Sequence, residues 1–235
     1  VRHRAEVLAE LTTGKRCIAV TGTSGKTTVT GMIGYALEQL GADPSVVNGG
    51  VVLNWAGADR IGNVRTGRSD LWVVEADESD RSLLRFHPDW ALITNRSADH
   101  FSLDETEKLF DEFARQVKRQ VIDGRDPRGA WHDFKPALGP GEIEFIHAGV
   151  RFHLSVPGRH NAENALQAAI VCSRLGYAWP DISAALSGFK GIQRRLELVA
   201  RNPVCVYDDY AHNPAKISAA WKTLSPFHPR LLAAW

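Results

Sequence analysis

The residue types and spacing best suited to chemistry stand in one stretch, Thr21-Gly22-Thr23-Ser24-Gly25-Lys26-Thr27-Thr28. Glycines let a chain turn so tightly that its N–H groups point inward at phosphate oxygens, and a helix N-terminus behind the turn adds its positive end. In that setting Lys26 brings a point charge to β- and γ-phosphates, and the Thr27 hydroxyl offers a hard oxygen to magnesium. The full Walker spacing wants glycine where Val20 stands, so this is a shortened form. A strand before the motif and a helix after it separate a phosphate loop from a chance Gly-Lys-Thr.

Four further clusters accompany it. Glu75-Ala76-Asp77-Glu78-Ser79-Asp80 comes after an apolar run, at the end of a strand where ligands of open α/β sheets bind. By itself it reads first as a solvated acidic loop, since charge runs are usually exposed; beside a phosphate loop, Glu75 is the carboxylate aimed at a metal. Asn95-Arg96-Ser97-Ala98-Asp99-His100 ends in a histidine. A lone histidine is more often structural, but His100 shares with Lys26 and Glu75 a place after a strand end. In Gly158-Arg159-His160-Asn161-Ala162-Glu163-Asn164, Asn161 and Asn164 lie three apart in a first helical turn. Their amides offer a donor and an acceptor to an adenine edge, but without that context the pair reads first as an N-cap and a surface side chain. Last come Arg194-Arg195 and Asp208-Asp209-Tyr210-Ala211-His212-Asn213-Pro214. Arg195 presents a planar fork that could neutralise a phosphoryl group in transfer, or is an ordinary linker arginine.

The elements that must position these residues read as alternating strands and helices. An amphipathic helix over 2–11 precedes a buried strand over 17–21. The next helix carries Val29, Met32, Ile33, Ala36, Leu37 and Leu40 at 3-4 spacing and ends at Gly41. Strands over 71–75 and 90–94 come next, and Ser102 with Glu105 forms a capping box that opens a helix through Leu109, Phe110, Phe113 and Val117. The Gly- and Pro-rich stretch 120–149 reads as loops and a short hairpin. Asn161 opens a helix to Gly176, Pro180 starts another, 204–207 is a strand, and Pro214 starts a helix through Ile217, Trp221 and Leu224. The terminal run Leu231-Leu232-Ala233-Ala234-Trp235 reads as an unpaired apolar strand, expected of a fragment or of an end that a partner covers. The fold class is α/β, a mostly parallel phosphate-loop sheet flanked by helices.

Composition narrows the function. The chain has 235 residues, and 28 Lys+Arg against 27 Asp+Glu leave a formal charge of +1. That balance lacks the broad basic field that nucleic acid or an anionic membrane selects. No apolar run approaches the roughly 20 residues that span a bilayer. The N-terminus shows no secretory pattern, so a cytoplasmic location is expected. Cys17, Cys172 and Cys205 form no C-x-x-C pair, and Cys17 and Cys205 read as buried thiols in apolar runs.

Taken in order, Thr-Gly-Thr-Ser-Gly-Lys-Thr-Thr, Glu-Ala-Asp-Glu-Ser-Asp, Ala-Asp-His, Gly-Arg-His-Asn-Ala-x-Asn and Asp-Asp-Tyr-Ala-His-Asn-Pro resemble the Mur ligase family of peptidoglycan synthesis. The second and fifth look most like its branch that joins L-alanine to UDP-N-acetylmuramate, which includes murein-peptide recycling members. Ala-His-Asn-Pro replaces that branch's commoner Ala-His-His-Pro and is similar to cyanophycin synthetase-like members.

The resemblance implies a central ATPase domain over 1–195 and the beginning of a Rossmann-like C-terminal domain over 196–235, with the UDP-sugar domain outside the chain. It implies ATP and magnesium as cofactors, small-molecule substrates (a UDP-sugar carboxylate and an amino acid), and amide formation through an acyl phosphate. It implies that Gly22, Thr23, Ser24, Gly25, Lys26, Thr27 and Thr28 cradle the phosphates. Thr27 and Glu75 would hold one magnesium and His100 a second, while His160, Asn161 and Asn164 approach adenine. Arg195 and Asp209 would contact nucleotide from the hinge, and Tyr210 and His212 lie toward the amino acid. Lys26, Glu75, His100 and Arg195 are the expected catalytic set. Other readings are a Mur-like ligase for another carboxylate (murein tripeptide, cyanophycin or folate glutamylation) and a nucleotide-binding partner subunit. The subunit of that kind carries a four-cysteine zinc insertion, which three scattered cysteines do not match.

Overall fold

The computed structural model describes residues 1–125, 131 and 134–234. In chain order the elements are α1 (Arg4–Leu11), β1 (Arg16–Thr21), α2 (Lys26–Gln39), β2 (Ser45–Val47), β3 (Val64–Arg65), β4 (Leu71–Glu75), β5 (Trp90–Ile93), α3 (Leu103–Ala114) and β6 (Gln120–Asp123). They continue with β7 (Ala137–Leu138), β8 (Ile143–His147), β9 (Val150–Leu154), α4 (Arg159–Arg174), α5 (Trp179–Ser187), β10 (Glu197–Ala200), β11 (Val206–Asp208) and α6 (Pro214–Leu224).

Six strands form the main sheet in the order β3-β2-β4-β1-β5-β6, parallel except for the short β3 at one edge. The register decides which strand ends meet. Val20 pairs with Glu75 on one side and with Leu92 on the other, so β1, β4 and β5 end level with one another. Both faces of β1 are covered, as expected for a central parallel strand. Ile18 and Val20 face a core shared with α2, α4 and α5, while Cys17 and Ala19 face Phe86, Phe110 and Phe113 on the other side. Helix α2 is buried from Thr27 to Leu37 because α4 and α5 pack on the side that the sheet leaves open. No helix among the described residues is long and apolar enough to cross a membrane.

Several expectations are corrected. The stretch 120–149 is not loops with one hairpin: β6 is the sixth strand of the main sheet, and β7-β8-β9 form a separate three-stranded antiparallel sheet. The expected hairpin is β8–β9, turned at Ala148 and Gly149, both in the left-handed region. Strand β6 has only four residues and one buried side chain, too short for a periodic signal. A partner strand that sequence reading missed, β10, pairs antiparallel with β11, which starts at Val206. Cys205 consequently lies just outside β11 and is half-buried, whereas burial pushes the thiols of Cys17 and Cys172 up to about 12. Helix α3 stops at Ala114, before Val117, and α4 begins at Arg159. Residues 231–234 are irregular rather than a strand, with Leu232 wholly exposed; Pro229 before them donates no ladder bond. Trp235 lies outside the described residues.

Candidate functional site

The loop between β1 and α2 needs its glycines. Gly22 and Gly25 have φ of 129° and 86°. A Cβ at Gly22 would sit 2.1 Å from Thr94 Oγ1, and one at Gly25 would sit 2.7 Å from Asn164 Oδ1. The tip of β5 braces the turn from below. Thr94 Oγ1 donates to the Ser24 carbonyl at 2.6 Å, and the Ser24 N–H donates to Asn95 Oδ1 at 3.0 Å. Thr23 Oγ1 donates to the Ser97 carbonyl at 3.0 Å, tying the loop to the 95–100 segment. Gly25 is the N-cap of α2 and supplies no side-chain cap, so the first N–H groups of a long helix face the cleft without a side-chain acceptor.

Two carboxylates stand beside this helix end. Glu75 accepts from Thr27 Oγ1 at 3.0 Å and from the Gly49 N–H at 2.7 Å. The Asn48-Gly49-Gly50 turn comes so close that a Cβ at Gly49 would meet Glu75 Oε2 at 2.7 Å. Glu78, buried at 3% exposure, lies 2.5 Å from Lys26 Nζ. Burial pushes its carboxyl up from the usual range, and Lys26 pulls it back.

Across the cleft, α4 presents Asn161, Asn164 and Gln167 from one stripe, all buried. Asn161 Nδ2 donates to the Pro157 carbonyl at 2.7 Å and its oxygen accepts from Asn164 Nδ2 at 3.4 Å, so Asn161 braces the start of the helix. Asn164 Oδ1 is the atom against Gly25. His160 is half-buried; burial pushes its pKa down and Asp209 pulls it up. Asp209 accepts from the Leu196 and Ala211 N–H groups, both at 2.8 Å, and so ties the start of β10 to the chain leaving β11 at the open end of the ribbon. Arg195 lies over the Tyr210 ring at 5.4 Å and has no carboxylate partner among the described residues.

These groups enclose a cleft of about 880 Å³, lined by every sequence-predicted site residue except Gly22, whose tight turn sits beneath it against Thr94. His100, Tyr210 and His212 are exposed at its margin. Sequence reasoning missed Gly49, the burial of Glu78, and Lys216, whose Nζ lies 3.3 Å from Asp99 Oδ2 and 3.4 Å from His212 Nε2. Lys216 was within reach of spacing alone, since it comes one helical turn after His212.

A polyphosphate with magnesium fits this donor set. Among the described residues, unclaimed N–H groups, an ammonium, an unpaired guanidinium, and the Thr27 hydroxyl beside the Glu75 carboxylate surround one cleft. Among the described residues no three His, Cys, Asp or Glu side chains converge as a closed metal cage. Magnesium seldom uses such a cage, taking one or two carboxylates together with phosphate and water.

Comparison with known proteins identifies the family. The Mur ligase middle domain matches residues 20–127, and the glutamate ligase domain of Mur ligases matches residues 194–235. UDP-N-acetylmuramate–L-alanine ligase of Clavibacter sepedonicus is 41% identical over 249 residues, covering 94% of this chain and 51% of the relative. The enzyme of the same name from Mycobacteroides abscessus is 36% identical over 94% of this chain and 53% of its own length. The solved UDP-N-acetylmuramate-alanine ligase of Thermotoga maritima superimposes with a TM-score of 0.79 at 28% identity, over 93% of this chain and 55% of that one. The chain thus spans about half the length of the curated relatives it matches. With its phosphate loop, its strand-end carboxylate and its two matched domains, the chain belongs to the Mur ligase family.

Proposed function

We propose that this chain carries the nucleotide-binding half of an ATP-dependent carboxylate–amine ligase, one that joins L-alanine to UDP-N-acetylmuramate for peptidoglycan. The observation that carries the reading is the convergence of Lys26, Thr27 and Glu75 at level strand ends, under an open helix N-terminus, with Arg195 across the same cleft. Residues 1–195 act in this reading as the central ATPase domain and 196–235 as the start of the C-terminal ligase domain. The relatives' names support the substrates, and a Mur ligase of the same fold crystallised with ADP supports the nucleotide. A cytoplasmic location belongs to the same reading, supported by three free thiols.

When bound, ATP with magnesium would supply the phosphoryl group that activates a carboxylate, with ADP left behind. The amino acid's amine then attacks the activated acyl carbon, and the amide bond forms as inorganic phosphate leaves. The chain's own residues bind, orient and neutralise. The N–H groups after Gly25 receive phosphate oxygens, and Lys26 brings its charge to the β- and γ-phosphates. Thr27 and Glu75 would hold one magnesium and His100 a second. Asn164 and His160 approach the base, with Asn161 behind them. Arg195 leaves Tyr210 for the phosphoryl group in transfer, while Asp209 keeps the hinge in shape. Tyr210 and His212 face the incoming amino acid.

Calorimetry of Mg-ATP against the parent chain and Lys26→Ala tests the reading. Binding between micromolar and millimolar is expected, weakened at least about tenfold by the substitution. A folded parent chain that binds no Mg-ATP, or binds it equally well without Lys26, refutes it.

A further inference from the structure

The ammonium that the phosphate-loop reading depends on is already engaged. Lys26 Nζ lies 2.5 Å from Glu78 Oε2 and 3.0 Å from the Gly22 carbonyl, with Asp77 Oδ1 at 3.9 Å. The side chain therefore folds back onto its own loop, with its ammonium between the Gly22 carbonyl and Glu78. Only 14% of the Lys26 side chain and 4% of the Glu78 side chain are exposed, so water screens the pair weakly. Among the described residues Glu78 has no other cation, and the nearby Glu75 spends its oxygens on Thr27 and Gly49. An arriving phosphate thus competes for a lysine that a buried carboxylate already holds. Drawing the lysine away leaves that carboxylate buried without its cation, which is unfavourable.

We propose that Glu78 is an internal counter-anion that restrains Lys26, so that the phosphate affinity of the loop is set by competition between Glu78 and the incoming phosphate for one ammonium. The inference rests on the phosphate-loop reading above and adds the residue that tunes it. Glu78→Gln keeps the shape and an acceptor oxygen but removes the charge, and a neutral acceptor holds an ammonium far less firmly. The variant is therefore expected to bind phosphate more tightly, the reverse of what loss of a supporting residue does.

The test is calorimetry with inorganic phosphate and with Mg-ADP, on the parent chain, E78Q, K26A and the double variant, with thermal melts confirming that each is folded. E78Q should tighten binding about tenfold, equivalent to about 1.4 kcal/mol. In the K26A background the same change should alter affinity by less than about twofold, because no lysine remains to be released. Weaker or unchanged binding by E78Q overturns the proposal and makes Glu78 a support for Lys26. Equal tightening with and without Lys26 also overturns it, since bare repulsion between carboxylate and phosphate then accounts for the gain. If E78Q does not fold, Glu78→Asp withdraws the carboxylate by one methylene and should tighten binding about threefold, with no gain counting against the proposal. K26A binding as tightly as the parent instead strikes the phosphate-loop reading itself.

Discussion

Lys26, Thr27 and Glu75 show how little a candidate functional side chain does alone. Thr27 is an ordinary buried helix residue until Glu75, 48 positions away, accepts its hydroxyl at 3.0 Å. If that pair holds magnesium, the metal should strengthen ADP binding to the parent chain, and Glu75→Gln should remove most of that gain. Titrating ADP with and without magnesium against both proteins measures it; an undiminished gain in the variant assigns the metal elsewhere. His160 gives a pH-dependent signature. Burial holds its pKa below the ordinary 6.5, so the unfolded chain binds more protons than the folded one between the lowered value and 6.5. The neutral ring's contribution is therefore intact above about pH 6.5 and is lost as pH falls through that window. His160→Gln should flatten the decline of the melting temperature between about pH 7 and pH 5, and parallel curves for the two proteins would falsify this assignment. The motif residues were legible in the sequence because their types are unusual at strand ends. The pairing of Lys26 with Glu78 was not, since both sit in motifs that say nothing about which charge faces which.

At the scale of elements, the loop that presents His100 hangs from a helix. Arg96 is buried among Glu107 at 2.6 Å, Asp111 at 2.7 Å and the Phe110 ring at 5.8 Å, which clamps the 95–100 segment onto α3. Because Glu107 and Asp111 are partly solvated, Arg96→Ala should cost about 1–3 kcal/mol rather than the larger penalty of a fully buried pair. Urea unfolding measures the loss, and a change below about 0.5 kcal/mol would show the clamp to be idle. Helices α2, α3 and α4 could be read from periodicity, capping and glycine placement. Strands β6 and β10 could not: four residues each, with few buried side chains, they become strands because a neighbour offers a ladder.

Across the whole molecule, the segment after Arg195 is held lightly. No side chain described in α6 is fully buried, and one ion pair, Lys216–Asp99, reaches from it to the loop beside His100. Its partners are about three-quarters buried, so Lys216→Met should loosen residues 196–234 by about 1 kcal/mol while leaving the main sheet unchanged. Hydrogen exchange resolved by segment tests this; faster exchange in β1 or β4 as well would mean that the pair supports the entire fold. The amino-acid sequence by itself determined the family, the alternation of strand and helix, and which residue types are offered to the candidate site. Each of these is written in residue type and local spacing, where turn geometry, helical period and donor chemistry act over a few positions. Only the tertiary structure decided that Val20, Glu75 and Leu92 stand in one row, that Gly49 closes over Glu75, and that Glu78 is buried against Lys26. Those are facts of register and packing between segments dozens of residues apart, which no local pattern encodes.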